Sequence, residues 1–281
     1  MKVLKTIKLY INGEFPRTES GRSYPIMDHD GKEYARVCQG SRKDFRNAVE
    51  AAKNAQAAWS KRTAYNRGQI LYRMGEMAQG KLEEFSQLFQ TCLGLSHEKS
   101  VDMAQAGIDA FIYYAGLADK YTQILCSVNQ VNGPFHNFTT PTPIGITTYA
   151  DADKFDFKLL VSHLCAIILS GNSVVAILGK GCPAIIAPLS EVFATSDLPP
   201  GVINLITGSF DEVAGFVAGH HEVQALFVAG DRSANSKQVS ELKLLAVDNM
   251  KRLHLIGEKT SALELVMKAV EMQTIWHPIG V

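Results

Sequence analysis

No sign of charge dominates this sequence: 28 Lys and Arg stand against 28 Asp and Glu. That balance removes the usual electrostatic argument for nucleic acid or an anionic membrane as the main partner. Long apolar runs are missing too. None reaches the roughly 18 to 20 residues that cross a bilayer, and Met1-Lys2-Val3-Leu4-Lys5 leads into no signal-peptide core. Cysteine is sparse: Cys38, Cys92, Cys126, Cys165 and Cys182 are odd in number, widely spaced and form no C-x-x-C. This usage reads as a reduced, cytoplasmic chain. His220-His221-Glu222 is not H-E-x-x-H, and no other histidines have metal-ligand spacing, so no metal site is expected and the pair reads as a solvated helix end. There is no G-x-G-x-x-G. Gly179-Lys180-Gly181 reads as a plain turn, with amides facing an anion as the alternative. Gly257-Glu258-Lys259-Thr260 ends like a P-loop, but Arg252 stands where its upstream glycine is required. Asn137-Phe138-Thr139 is a glycosylation sequon that means nothing without secretion.

What is present is patterned. With 281 residues, 46% hydrophobic and 20% charged, the chain suits one large domain or two modest ones. Ile7–Ile11 followed by Asn12-Gly13 predicts a strand and a two-residue hairpin turn, with Glu14-Phe15 starting the return. Helical spacing then predicts a helix from about Arg42, a second carrying Ile70, Leu71, Met74, Met77, Leu82, Phe85 and Phe89, and a third over His97–Tyr121. Their aromatic and methionine stripes read as core. Gln123–Val128, a turn at Asn132-Gly133-Pro134 and Phe135–Thr140 read as a hairpin arm. Such an arm either packs on its own body or adds to another subunit's sheet edge.

From Ile144 onward strands and helices alternate. Strands are predicted at Ile144–Tyr149, Ser173–Leu178, Val202–Thr207, Ala225–Ala229 and Arg252–Ile256. Helices are predicted near Phe155–Leu169, Pro183–Thr195, Asp211–Ala218, Ser233–Leu245 and Ser261–Met272. Strands that are nearly all apolar indicate a parallel sheet covered on both faces. The fold class is therefore α/β, an open doubly wound Rossmann-like sheet, with ligands expected beyond the carboxyl ends of its strands. Met272–Val281, with Ile275, Trp276 and Ile279, reads either as a short strand on the exposed sheet edge or as a frayed terminus.

Several segments together resemble the aldehyde dehydrogenase superfamily. Tyr113-Tyr114-Ala115-Gly116-Leu117-Ala118-Asp119-Lys120 is similar to its Y-Y-A-G-W-A-D-K helix end, and Ser170-Gly171-Asn172-Ser173-Val174-Val175 to its A-G-N-T-V-V strand start. The run from Leu198-Pro199-Pro200-Gly201 to Thr207-Gly208 is similar to L-P-P-G-V-V-N-V-V-P-G. Leu9–Phe15 and the helix holding Ala57-Ala58-Trp59 fit as well. The resemblance implies the cofactor-binding half of the family. Residues 1–122 would form its hairpin and helices, 123–143 an oligomerisation arm, 144–260 the Rossmann-like core, and 261–281 a helix and tail in place of the catalytic domain.

The departures from the family are chemical. Members oxidise aldehydes through a Cys thiolate and pass hydride to NAD or NADP; that thiolate lies beyond the last matched segment, and none of the five cysteines occupies its place. The oxyanion Asn of P-W-N-F falls on Lys154, a mobile point charge instead of a fixed amide donor. The general-base Glu of E-L-G-G falls near Leu255, which cannot accept a proton, and Glu258 is expected to be solvated. The ribose-binding K-P-x-E becomes Ile177-Leu178-Gly179-Lys180, with no hydrogen bond from Ile177 and reversed charge at Lys180. F-T-G-S, near the pyrophosphate, becomes Val228-Ala229-Gly230-Asp231, where Gly230 persists and Asp231 opposes the pyrophosphate. Ile177, Lys180, Gly208, Gly230 and Asp231 are thus the candidate cofactor positions, with no catalytic residue and no metal ligand. Three readings follow. The first is a non-catalytic assembly subunit forming a homo-oligomer, or a hetero-oligomer with a full-length aldehyde dehydrogenase. Its truncated sheet side would be apolar and seek a partner. The second is an NAD(P)-dependent oxidoreductase component completed in trans. The third is a nucleotide-binding module with an altered ligand.

Overall fold

The computed structural model describes residues 4–151, 154–179, 181–230 and 237–280. Its centre is a parallel sheet of β6 (Ile146–Ala150), β7 (Ser173–Leu178), β8 (Ile203–Thr207), β9 (Ala225–Ala229) and β10 (Arg252–Ile256), in the order β10-β9-β6-β7-β8. The chain starts in the middle at β6 and winds outward one way to β8. It then returns to the other side of β6 for β9 and β10, so the direction of winding reverses between β6 and β9.

Successive strand residues face opposite sides. Val174, Ala176 and Leu178 enter one apolar cluster, with α2 (Ala64–Gln79), α3 (Leu82–Leu93), α4 (His97–Leu117), α6 (Phe157–Leu169) and α7 (Ile186–Ala194). Val175 and Ile177 enter the other, with α1 (Arg42–Lys61), α8 (Phe210–Gly219) and α9 (Lys237–Val247). The doubly wound α/β expectation is what is observed.

The joints between layers are polar and fully engaged. Ser41 and Asp44 form a capping box at the start of α1, and the Thr18 hydroxyl donates to the same carboxylate at 2.6 Å. At the carboxyl end of α6, carbonyls with no intrahelical partner are taken up by side chains. Trp59 Nε1 donates to the Ile168 carbonyl at 2.8 Å, and Arg67 Nε donates to that of Leu169 at 2.7 Å. Asn172, fully buried, donates through Nδ2 to the carbonyls of Ile167 at 3.0 Å and Ala269 at 2.7 Å, and its Oδ1 accepts the Gly145 N–H at 2.8 Å. The second family-like segment has the same character. Asn204 Nδ2 donates to the Gly201 carbonyl at 2.7 Å while its Oδ1 accepts the Asn12 N–H at 3.0 Å.

Asn12 (φ 55°) and Gly13 (φ 76°) form the expected two-residue turn, closed by mutual hydrogen bonds of Ile11 and Glu14 at 3.0 Å. The predicted strand is reduced to bridges, of which Tyr10 to Leu205 seals the outer edge of β8. Three short strands were not expected: β1 (Thr6–Ile7), β2 (Ser23–Met27) and β3 (Glu33–Cys38) form a small sheet with β3 in the middle.

Other boundaries shift for identifiable reasons. The single helix expected over Ile70–Phe89 is two, α2 and α3, broken at Gly80-Lys81, where glycine is a poor helix former and the Lys81 N–H turns to the Ala78 carbonyl at 2.9 Å, three residues back instead of four. The third helix ends at Leu117, and a short helix α5 (Tyr121–Leu125) takes up the start of the expected arm. The arm therefore consists of β4 (Ser127–Asn129) and β5 (Phe135–Pro143). The predicted terminal helix over Ser261–Met272 stops at Lys268 as α10 (Ala262–Lys268), and β11 (Val270–Pro278) follows. This strand lies antiparallel on β5, from Val270 opposite Pro143 to Pro278 opposite Phe135, and not on the edge of the central sheet. Nine paired residues, a Trp276–Phe135 edge contact at 5.7 Å and a Thr139–Thr274 hydroxyl bond at 3.0 Å hold it there. The helix expected over Ser233–Leu245 is observed from Lys237; its first residues lie outside the described ones.

Candidate functional site at the strand ends

The carboxyl ends of β6 and β9, where winding reverses, border a cavity of about 370 Å³. A crevice at this point is where open α/β sheets hold ligands. Its floor is apolar, from Leu160, Leu178, Ile185 and Ile256; its polar wall comes from Tyr149, Asp151 and His163. His163 sits in a mostly apolar helix, 2% exposed, with Nδ1 at 3.3 Å from the Tyr149 hydroxyl and Nε2 without a hydrogen-bond partner among the described residues. Burial pushes this imidazole down to about 4, so it is neutral at neutral pH. Burial, and then the charges of Asp151 and Asp156, push the Tyr149 hydroxyl well above its usual value. Asp156 caps α6, its Oδ1 accepting the Leu159 N–H at 2.9 Å. Among the described residues no group of His, Cys, Asp and Glu could hold a metal ion.

The candidate cofactor positions that are described divide between this cavity and a second place. Gly230 lines the cavity, with φ 108° and its N–H on the Ile256 carbonyl at 3.0 Å. Ile177 and Gly208 lie elsewhere, sharing a void of about 10 Å³ with Phe45 and Ile206. That is room for one water at most. Ile177 is 1% exposed, in the apolar cluster that also contains Phe210. A side chain on Gly179 would collide with the Gly208 carbonyl oxygen, so these two loops are pressed backbone to backbone. A ribose needs hydrogen-bond partners and space, and Ile177 supplies neither. At Ile177, then, the chain presents no side-chain partner for the ribose of a nicotinamide dinucleotide. Lys180 and Asp231 lie outside the described residues.

The positions aligned with the family's chemistry are equally plain. Lys154 is solvated, its Nζ 3.6 Å from Glu258 Oε1, and Glu258 is itself exposed, as expected from the sequence. Leu255 is half-buried in β10 and packs on the second apolar cluster. His220 caps the end of α8, half-buried against Phe45 and Phe216, while His221 is exposed. Sequence reasoning did not single out His163, Tyr149 or Cys182. The one available signal was a histidine inside the apolar run of α6.

Comparison with known proteins agrees with the fold. A family model described as the aldehyde dehydrogenase family matches residues 17–265. The mitochondrial benzaldehyde dehydrogenase of Antirrhinum majus is 30% identical, over 94% of this chain and 50% of its own length. The cytosolic 10-formyltetrahydrofolate dehydrogenase of Xenopus laevis is 28% identical, over 90% of this chain and 28% of its own. Among solved structures, the NAD+ complex of an aldehyde dehydrogenase from Bacillus cereus superposes with a TM-score of 0.82 at 21% identity, over 92% of this chain and 52% of that one. The chain spans about half the length, or less, of the relatives it matches. By its sequence and its fold, this chain belongs to the aldehyde dehydrogenase family.

Proposed function

We propose that the chain is a non-catalytic assembly subunit of its family, associating with a second copy of itself or with a full-length aldehyde dehydrogenase. One observation carries this reading: three described positions aligned with reacting or cofactor-holding side chains of the family, Leu255, Lys154 and Ile177, have side chains unable to do that work. Leu255 cannot accept a proton. Lys154 is a solvated cation engaged with Glu258 and offers no fixed donor to a developing oxyanion. Ile177 fills its site with a buried aliphatic group.

The joints, by contrast, remain intact, and the arm is built for contact. Across β11, β5 and β4, Val128 lies beside Phe138, and Phe138 beside Ile275, forming an apolar row on one face. Val128 is 74% exposed, and Trp276 and Met272 are also exposed. Among the described residues β4 pairs only with β5, so its outer edge offers free backbone groups to another strand. The test is light scattering on the purified chain. We expect a mass that is a multiple of 30.8 kDa, falling to the monomer value in Val128→Asp with unchanged circular dichroism. A strict monomer at high micromolar concentration, alone and with a full-length relative, contradicts the proposal.

A further inference from the structure

The terminal strand β11 is the longer of the two open edges of the arm. It runs nine residues, Val270–Pro278, lies at one end of the order β11-β5-β4, and pairs only with β5 among the described residues. From Glu271 to Pro278 every residue but Ile275 is exposed, Met272 at 49% and Trp276 at 57%. One bond fixes which backbone groups of this edge are open. The Ile279 N–H donates to the Pro134 carbonyl at 2.8 Å, one step beyond the pair of Pro278 and Phe135. Antiparallel pairs alternate between bonded and non-bonded, so His277, Ile275, Gln273 and Glu271 turn their backbone groups to β5. Met272, Thr274 and Trp276 turn theirs outward. The prolines obey the same alternation: Pro278 on β11, and Pro141 and Pro143 on β5, fall where the missing N–H faces away from the ladder between the two strands.

A second copy fits this edge in one register. The outward groups lie on even-numbered residues, so a twofold axis through Thr274 opposes them along the whole strand; an axis through a neighbouring residue shortens the overlap. Thr274 then meets Thr274, and Met272 meets Trp276, a sulfur–aromatic pair of two exposed side chains. Glu271, the one charged residue of the strand, meets His277 of the second copy, so no like charges face each other. Glu271 also pairs with Arg252, and beside them a recess of about 660 Å³, bordered by Thr142 and Gln273, leaves room for the tip of the other arm. The axis is perpendicular to the sheet and brings the Val128–Phe138–Ile275 rows of both copies onto one face. Val128 and the β11 seam therefore act on one assembled sheet.

We propose that two copies of the chain join edge to edge through β11, antiparallel about Thr274, into one continuous sheet in the order β4-β5-β11-β11-β5-β4. The inference rests on the reading that the chain self-associates, and adds to it the edge and the register.

The experiment weighs the full chain by light scattering at high micromolar concentration, as wild type, as Thr274→Lys, as Thr274→Glu and as an equimolar mixture of the two variants. Thr274 is exposed and its N–H lies outside the ladder with β5, so each change costs the fold only the hydroxyl bond to Thr139. We expect the wild type at twice the 30.8 kDa of one chain. Each variant alone should fall to the single-chain mass, because like charges meet on the axis, and the mixture should return to twice that mass. A wild type that is strictly monomeric overturns the assembly reading and this inference with it. An oligomeric wild type whose mass neither variant changes, or a mixture that stays monomeric, overturns the inference alone. Thr274→Cys in a Cys126→Ser background tests the register without a charge: a short bis-maleimide should link two copies through position 274. An oligomeric sample that yields no such linked peptide would also overturn the inference.

Discussion

The two edges of the central sheet are finished differently. The β8 edge is sealed: Tyr10 and Leu205 exchange hydrogen bonds at 2.9 and 2.7 Å, Asn204 ties down the Asn12 turn, and the Gly40 N–H donates to the Thr207 carbonyl at 2.7 Å. At the β10 edge the strand pairs only with β9 among the described residues, Leu253 and Leu255 are half-buried, and neighbouring Leu244, Val247 and Met250 are exposed, Met250 at 92%. The segments most like the family border the sealed edge and the end of α6. The positions where the family's chemistry is absent lie at the strand ends and along β10. On the proposed reading, the set of contacts that folds the domain is kept, and the set that a reaction would use has changed.

That contrast can be broken first at its strongest joint. Asn172→Ala would leave the Gly145 N–H and the Ala269 carbonyl without their buried partner, in a site that Ser170 only partly shares. A loss of about 4 kcal/mol is expected in urea unfolding. A loss below about 1 kcal/mol would mean that the family-like segment is not a structural joint.

A smaller effect is expected on the open side. Lys251, buried, donates from Nζ to the carbonyls of Val217, Ala218 and His220 at 2.9, 2.7 and 2.9 Å, closing the end of α8. Lys251→Met should cost about 2 kcal/mol at neutral pH through the unpaired carbonyls. Burial pushes the Lys251 ammonium down to about 8 from 10.5. Between those values the unfolded chain binds more protons, so this group's contribution to stability rises with pH. The stability gap between wild type and Lys251→Met should therefore widen from pH 8 to 10.5, as read from paired thermal melts. A gap that narrows over that interval would reverse the assignment.

Legibility in the sequence followed the same division. Ser173–Leu178, Ala225–Ala229 and Arg252–Ile256 are strands at the residues predicted, because β-rich runs lie between turn and helix signals. β2 and β3 were not visible: Ser23–Met27 carries Pro25 and a single buried residue, and in Glu33–Cys38 the alternation is short and runs through Ala35 and Arg36. The apolar stripe through Phe85 and Phe89 continued across Gly80 without showing that the helix breaks there. The terminal strand was legible as a strand but not in its partner, because pairing β11 with β5 depends on where the chain returns in space. The cavity was hidden for a related reason. It is assembled from four strand ends, one helix and a turn, so no linear motif spells it.

The measurement that tests the central claim most directly is calorimetric titration of the purified chain with NAD+ and NADP+ into the millimolar range. With Ile177 buried beside a void of about 10 Å³, the account predicts no saturable binding of either. A one-to-one complex at micromolar cofactor would contradict it, and would mean that the cofactor positions have been rebuilt and not lost.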